Sequence, residues 1–289
     1  MSSTYSKAQI KYLQNQYLPR LSVKDADIYL RKSEQKSKKI RNKLSGVLDI
    51  SYGNSPLQKL DIFPSEKKRS PVNVFIHGGY WRAPEIEKRT YSFIAKPLVS
   101  AGATLVVPNY DLCPSVNITT IVQQMRNAIK WIYKNIEKYN GDPKRIFISG
   151  HSAGGHLTAM MAATDWSRNG GLPKSLIKGI APLSGLFDLE THRHLPLLQP
   201  DLKLTKQEVE TMSPMYHTPI FKGKAIVAVG EQEPDLFHWQ SLRYTALLRY
   251  FGISAEFLST PNDNHFSITD RLGRRNDILV RALLRQMDL

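Results

Sequence analysis

The sequence RIFISGHSAGGHLTA, residues 145–159, contains the pattern that is most informative about the fold of this chain. Residues 145–149 form a short apolar run that is typical of a buried β-strand, and from Leu157 onward the apolar residues have helical spacing. Between them lies GHSAG, residues 150–154, which has the form G-x-S-x-G. In this setting the motif predicts a tight, strained turn from a strand into a helix, with Ser152 at its apex.

Outward from this turn, strand and helix patterns alternate from about residue 72 to the end of the chain. Further helices are predicted at residues 119–139, 206–212, 237–250 and 277–287, and further strands at 72–76, 103–107, 177–183, 225–229 and 255–258. Two short segments before them, 47–51 and 59–63, are predicted edge strands. The alternation predicts an α/β fold with one mostly parallel sheet and helices on both of its faces.

The composition indicates a globular protein. With 289 residues, 41% hydrophobic and 22% charged, the chain has the composition of an ordinary globular protein, and we expect one domain with a polar helical arm at 1–45 ahead of a core at 46–289. The formal net charge of +15 is unusual, and much of it gathers between residues 31 and 43. No aromatic residue interleaves these charges, so the pattern favours a solvated helix face over a nucleic-acid surface.

Cysteine content and hydropathy bear on localisation. Cys113 is the single cysteine and cannot form an internal disulfide, and the start of the sequence has no apolar stretch that resembles a secretory signal. The longest mostly apolar run, residues 98–107, is far shorter than the roughly 20 residues of a spanning helix. We therefore expect a cytoplasmic protein with neither a membrane passage nor a nucleic-acid partner.

Ser152 is the candidate nucleophile, because the strained turn aims its hydroxyl out of the sheet. Acyl transfer also needs N–H donors for the oxyanion of the tetrahedral intermediate. Gly78 or Gly79, after the strand at 72–76, can present one N–H group, and Ala153 can present the other. His77 beside the two glycines is expected to prop this loop.

The candidate base is His265, in the polar loop before the last helix, because this kind of fold supplies its triad in the order serine, acid, histidine. The remaining histidines fit less well: they flank the nucleophile (His151, His156), fall in a predicted surface insertion (His192, His194) or are expected in the core or on the surface (His217, His238). The acid should follow the strand at 225–229, where three carboxylates compete: Glu231, Glu233 and Asp235. Spacing alone does not separate them.

Several segments resemble one family, the kynurenine formamidases (arylformamidases) and related esterases of the α/β-hydrolase superfamily. The resemblance covers nearly the whole chain and includes KLDIF at 59–63, HGGYWR at 77–82, NYDL at 109–112, GHSAGGHL at 150–157, LSGLFDL at 183–189 and FHWQS at 237–241. The Tyr-Trp pair after the double glycine is more specific than the serine motif.

The resemblance implies more than the residues alone. The family places its acid four residues before the phenylalanine of the F-x-x-Q-S segment, which here is Glu233, with Asp235 as the alternative. It implies hydrolysis of the small molecule N-formyl-L-kynurenine without a metal or organic cofactor, and a carboxylesterase of small acyl esters is the nearest alternative.

Tyr80 and Trp81 are then candidates to pack against the aromatic ketone of the substrate, or core residues that brace the loop. The oligomeric state stays open, and a homodimer is compatible with the sequence.

Overall fold

The computed structural model describes residues 5–289, which are built around an eight-stranded sheet. The strands are β1 (Val47–Ser51), β2 (Lys59–Phe63), β3 (Ser70–Ile76), β4 (Thr104–Pro108), β5 (Gly141–His151), β6 (Ile177–Leu183), β7 (Lys224–Gly230) and β8 (Ala255–Thr260). Their order across the sheet is β1-β2-β4-β3-β5-β6-β7-β8. The nucleophile turn follows β5, in the middle of the sheet.

The six strands β4, β3, β5, β6, β7 and β8, in this order across the sheet, pair in parallel. Strand β2 pairs antiparallel with both β1 and β4. The prediction of a mostly parallel sheet is therefore confirmed. The prediction that 59–63 is an edge strand is wrong, because β2 bonds to β1 on one side and to β4 on the other. Its residues Leu60 to Phe63 are buried on both faces, which a true edge does not require.

Helices cover both faces of the sheet. They are α1 (Lys7–Tyr17), α2 (Pro19–Ser22), α3 (Asp27–Arg41), α4 (Ala95–Ala101), α5 (Ile118–Asn135), α6 (Ala153–Ala162), α7 (Gln199–Leu202), α8 (Lys206–Met212), α9 (Asp235–Tyr250) and α10 (Ile278–Gln286), with short 3₁₀ helices between them. Successive residues of a strand face opposite sides of the sheet. Val74 and Ile148 accordingly join the core under α5, α6 and α9, while Phe75 and Phe147 join the core under α4 and α10.

The N-terminal arm packs against the rest of the protein more closely than a solvated helix does. Ser37 of α3 is buried, donates a hydrogen bond to the Thr90 carbonyl at 2.7 Å and accepts one from the Phe93 N–H at 3.0 Å. Arg41 pairs with the buried Asp61 at 2.7 Å. The outer face of α3 is exposed and charged as predicted, but its inner face is a docked surface. Residues 1–4 of the predicted arm lie outside the described residues.

Element boundaries shift by a few residues from those predicted. β5 begins four residues earlier and continues to His151, and the predicted helix at 119–139 ends as α5 at Asn135 and continues as a 3₁₀ turn. The segments at 177–183 and 206–212 have the predicted bounds. Among residues 5–289 there is no helix with the length and hydropathy that a membrane span requires.

Candidate active site

The turn after β5 holds Ser152 in a conformation that few residues adopt. Its φ is 58° and its ψ is −118°, which is sterically strained for a side chain with a Cβ. The turn needs glycine at Gly154, where an added Cβ would lie 2.0 Å from the Ile76 carbonyl oxygen. The start of helix α6 is thereby packed against the end of strand β3, with the serine hydroxyl at the carboxyl end of the sheet.

Three of the predicted residues meet at this point. The Oγ atom of Ser152 lies 3.0 Å from Nε2 of His265, and Nδ1 of His265 lies 2.6 Å from Oε2 of Glu233. All three side chains are buried. The chain order is serine, acid, histidine, and the contacts are those through which a histidine accepts the serine proton while a carboxylate orients its ring.

Glu233 is the carboxylate that reaches His265. Its Oε1 atom accepts hydrogen bonds from the Ser184 hydroxyl at 2.5 Å and from the Gly230 N–H at 2.7 Å, which fix the side chain at the end of β7. Glu231 is exposed and instead accepts a bond from the Asn262 N–H. Asp235 is the exposed first residue of α9. The geometry therefore favours Glu233 as the acid.

Two N–H groups of the loop after β3 point away from Tyr110, the side chain that supports this loop. The Tyr110 hydroxyl donates to the carbonyls of His77 at 2.9 Å and Gly78 at 3.1 Å. In a trans peptide the N–H points opposite to the carbonyl, so the N–H groups of Gly78 and Gly79 point away from Tyr110. A Cβ at Gly78 would lie 3.1 Å from Cβ of Ser152. Ala153 is the first residue of α6, so its N–H has no intrahelical acceptor.

This loop is held in a strained shape. Gly79, Tyr80 and Trp81 have φ values of 101°, 50° and 56°, a run of three left-handed residues that occurs where the surroundings enforce it. His77 contributes to that enforcement, because its Nε2 bonds to Asn109 Oδ1 at 2.7 Å and its ring stacks on Tyr110. Burial lowers the pKa of His77 to about 4, so the side chain is neutral and supports the loop through these contacts.

The two aromatic residues of the loop have different positions. Tyr80 lines the pocket above Ser152, where it was predicted to contact substrate. Trp81 does not line that pocket: it is fully buried and packs edge-on against His156. The prediction that Trp81 contacts substrate is therefore not supported by its position, because its ring fills the core behind the loop.

Two histidines outside the triad also have informative surroundings. His151 lines the pocket and its ring lies 4.6 Å from that of His265. Burial, with a smaller contribution from His265, lowers its pKa well below the usual range, so it does not add a positive charge beside the base.

The prediction that His192 lies in a surface insertion is wrong, since it is fully buried against Tyr17 of α1.

A pocket of about 450 Å³ opens above Ser152 and His265. Its walls are mostly apolar and come from the loop after β3, the loop of His265 and, unexpectedly, the N-terminal arm; the lining residues that the sequence did not single out are Leu18, Pro19, Arg20, Leu21, Ala83, Pro84, Glu85, Ile86, Tyr91, Leu197, Asp201 and Phe266. A volume of this size suits a small organic substrate. Within residues 5–289, histidine, cysteine and acidic side chains form no group of three or more that could hold a metal ion.

Comparisons of the sequence and the fold show that this chain is similar to hydrolases. The BD-FAE family profile matches residues 60–240. A kynurenine formamidase of Danio rerio is 30% identical over 99% of this chain and 97% of its own. Esterase LipQ of Mycobacterium tuberculosis is 27% identical over 75% of this chain and 56% of its own. A solved structure of a putative thioesterase from Silicibacter sp. has 28% identity and a TM-score of 0.77, and the match covers 90% of this chain and 94% of that one.

Proposed function

Because the chain belongs to the kynurenine formamidases and related esterases of the α/β-hydrolase superfamily, and is therefore an amide or ester hydrolase, we propose that it cleaves N-formyl-L-kynurenine to kynurenine and formate. The observation that carries this proposal is the Ser152–His265–Glu233 hydrogen-bond chain at the floor of an apolar pocket. The similarity to a formamidase over nearly the full chain supports the choice of substrate.

In the proposed reaction Ser152 Oγ attacks the formyl carbon and His265 Nε2 accepts its proton. The N–H groups of Gly78, Gly79 and Ala153 then stabilise the oxyanion of the tetrahedral intermediate. His265 returns the proton to the departing aniline nitrogen, which leaves a formyl ester on Ser152. Water, deprotonated by the same histidine, attacks this ester and releases formate and free serine. Glu233 holds the histidine ring and stabilises its protonated form throughout.

The leaving group has to provide most of the binding energy, because a formyl group offers only one carbon and one oxygen for contact. The pocket suits this requirement: Leu18, Ile86 and Phe266 supply apolar and aromatic surface for an acylated aniline ring. A carboxylesterase acting on small acyl esters is the second candidate. It is supported by the similarity to esterase LipQ and would use the same triad.

The two functions differ in a kinetic comparison. We expect kcat/KM of the purified protein to be higher for N-formyl-L-kynurenine than for p-nitrophenyl acetate, although the ester is the more reactive compound. The Ser152→Ala variant serves as the blank for both reactions. Efficient ester turnover with negligible formamide cleavage would assign the protein to the esterases instead.

A further inference from the structure

Four charged side chains line the mostly apolar pocket, and they are arranged as two ion pairs. Arg82 pairs with Asp201, and Arg20 of the N-terminal arm pairs with Glu85 at 3.4 Å. Arg82 and Glu85 belong to the same loop after β3, so one residue of each pair lies on the wall that this loop contributes to the pocket. The pocket therefore presents two cations and two anions to whatever occupies it.

The pairs are accessible enough to bind a ligand. Arg82 and Asp201 keep 33% and 34% of their side-chain surface exposed, and Arg20 and Glu85 keep 46% and 49%. Partial burial matters because an ion pair excluded from bulk water interacts more strongly with an incoming charge than a fully solvated one does. A neutral ester would cover these groups without replacing the water that solvates them, which costs binding energy.

A zwitterion matches this arrangement. Its carboxylate can accept two parallel hydrogen bonds from the planar guanidinium of Arg82, the more buried of the two arginines. Its ammonium group can be bound by Glu85, whose partner Arg20 also pairs with Asp27 and therefore holds Glu85 less exclusively. The ligand charges then join the existing pairs, and no charge in the pocket loses its partner.

We propose that the two ion pairs recognise the amino-acid head of the substrate, with Arg82 binding its α-carboxylate and Glu85 its α-ammonium group. This proposal rests on the proposed function and names the substrate class as N-acylated anilines that carry an amino acid. The N-terminal arm then contributes to specificity through Arg20. The arm precedes the segment that the BD-FAE profile matches, but the match to the Danio rerio formamidase spans 99% of the chain and therefore includes the arm.

The test compares N-formyl-L-kynurenine with 2′-formamidoacetophenone, which has the same formanilide and ketone but no amino acid. The measured quantity is the ratio of the two kcat/KM values. Arg82→Ala should lower this ratio about tenfold to a hundredfold, the usual effect of removing a hydrogen-bonded charge. The effect should be mainly on KM, and Arg82→Lys should restore part of it. Arg89→Ala is the matched control, because Arg89 is 69% exposed, pairs with Glu87 and does not line the pocket.

Glu85→Gln provides an independent measurement if Arg82→Ala folds poorly. It should lower kcat/KM for N-formyl-L-kynurenine relative to 4-(2-formamidophenyl)-4-oxobutanoate, which keeps the carboxylate and lacks the amine. A wild-type protein that hydrolyses all three formamides equally well would overturn the recognition proposal while formamidase activity stands. Equal losses on all substrates in both variants would also overturn it, since they would indicate a structural role. Failure to hydrolyse any formamide would overturn the proposed function itself.

Discussion

Replacing Ser152 with alanine should lower kcat for N-formyl-L-kynurenine by about 10⁵-fold or more. The reason is that the hydroxyl is the attacking group, and no other hydroxyl is hydrogen-bonded to Nε2 of His265 among the described residues. Release of formate from a saturating concentration of substrate measures the effect, since saturation separates loss of chemistry from loss of binding.

The control for this variant is Ser149→Ala. Ser149 is buried like Ser152, but it lies within β5, and its hydroxyl donates to Asn73 Oδ1 at 2.8 Å outside the site. This variant should retain the chemistry even if its thermal stability falls, because it removes only a structural hydrogen bond. Substantial formate release by Ser152→Ala would rule out the serine mechanism.

Removal of His265 should have an effect almost as large. His265→Ala leaves Ser152 without a base, and we expect kcat to fall by about 10⁵-fold, since nucleophile and base act as one unit and their losses are not additive. The double variant Ser152→Ala/His265→Ala should accordingly be no slower than either single variant. His217→Ala, which alters a partly exposed histidine bonded to the Thr211 carbonyl, serves as the control and should be as active as the wild type.

The acid has a smaller expected effect within the same experiment. Glu233→Ala should cost less than either of the other losses, about 10³-fold to 10⁴-fold, because the histidine can still accept a proton but is no longer held in orientation. Asp235→Ala, two residues further along the chain, is the matched control and should change little. A larger loss in Asp235→Ala than in Glu233→Ala would show that the acid is wrongly assigned.

The core of the fold and Ser152 as the candidate nucleophile could be predicted because their signals are local, and the chain order of triad residues in such a fold then indicated His265. The motif at 150–154 sits between a strand and a helix, and the strain of such a turn restricts its residues to small ones. The alternation of buried strands and amphipathic helices likewise appears within short windows of sequence. These parts of the molecule depend little on which distant segments pack together.

The misjudged features depend on long-range packing. Periodicity describes α3 as a charged surface helix, but Ser37 docks on the Thr90 carbonyl, 53 residues away. His192 lies in the polar stretch ETHRH at 190–194, which does not indicate burial, and Tyr17 of α1 and Tyr80 of the loop after β3 both lie against its ring. The arm brings Arg20 to the pocket in the same way. No sequence pattern connects residues 17–21 to the loop after β3, so these contacts could not be predicted.

Ser184 illustrates a different limit. It follows β6 within a segment that resembles the family, yet a serine at a strand end has many structural uses. Its role becomes visible only when its hydroxyl is found 2.5 Å from Oε1 of Glu233. The signal available in the sequence was position: Ser152, Ser184 and Glu233 follow the carboxyl ends of β5, β6 and β7, which are adjacent in the sheet.

Covalent labelling with diisopropyl fluorophosphate tests whether Ser152 is a nucleophile activated by His265. Peptide mass spectrometry after inactivation should find one phosphoryl adduct per chain, on the peptide that contains Ser152. The rate of labelling should fall sharply in His265→Ala, because the hydroxyl then lacks its base. Ser152 would not be the nucleophile if the enzyme stayed fully active after this treatment and carried no adduct on Ser152. The same would follow if the enzyme were inactivated with an adduct on another residue alone.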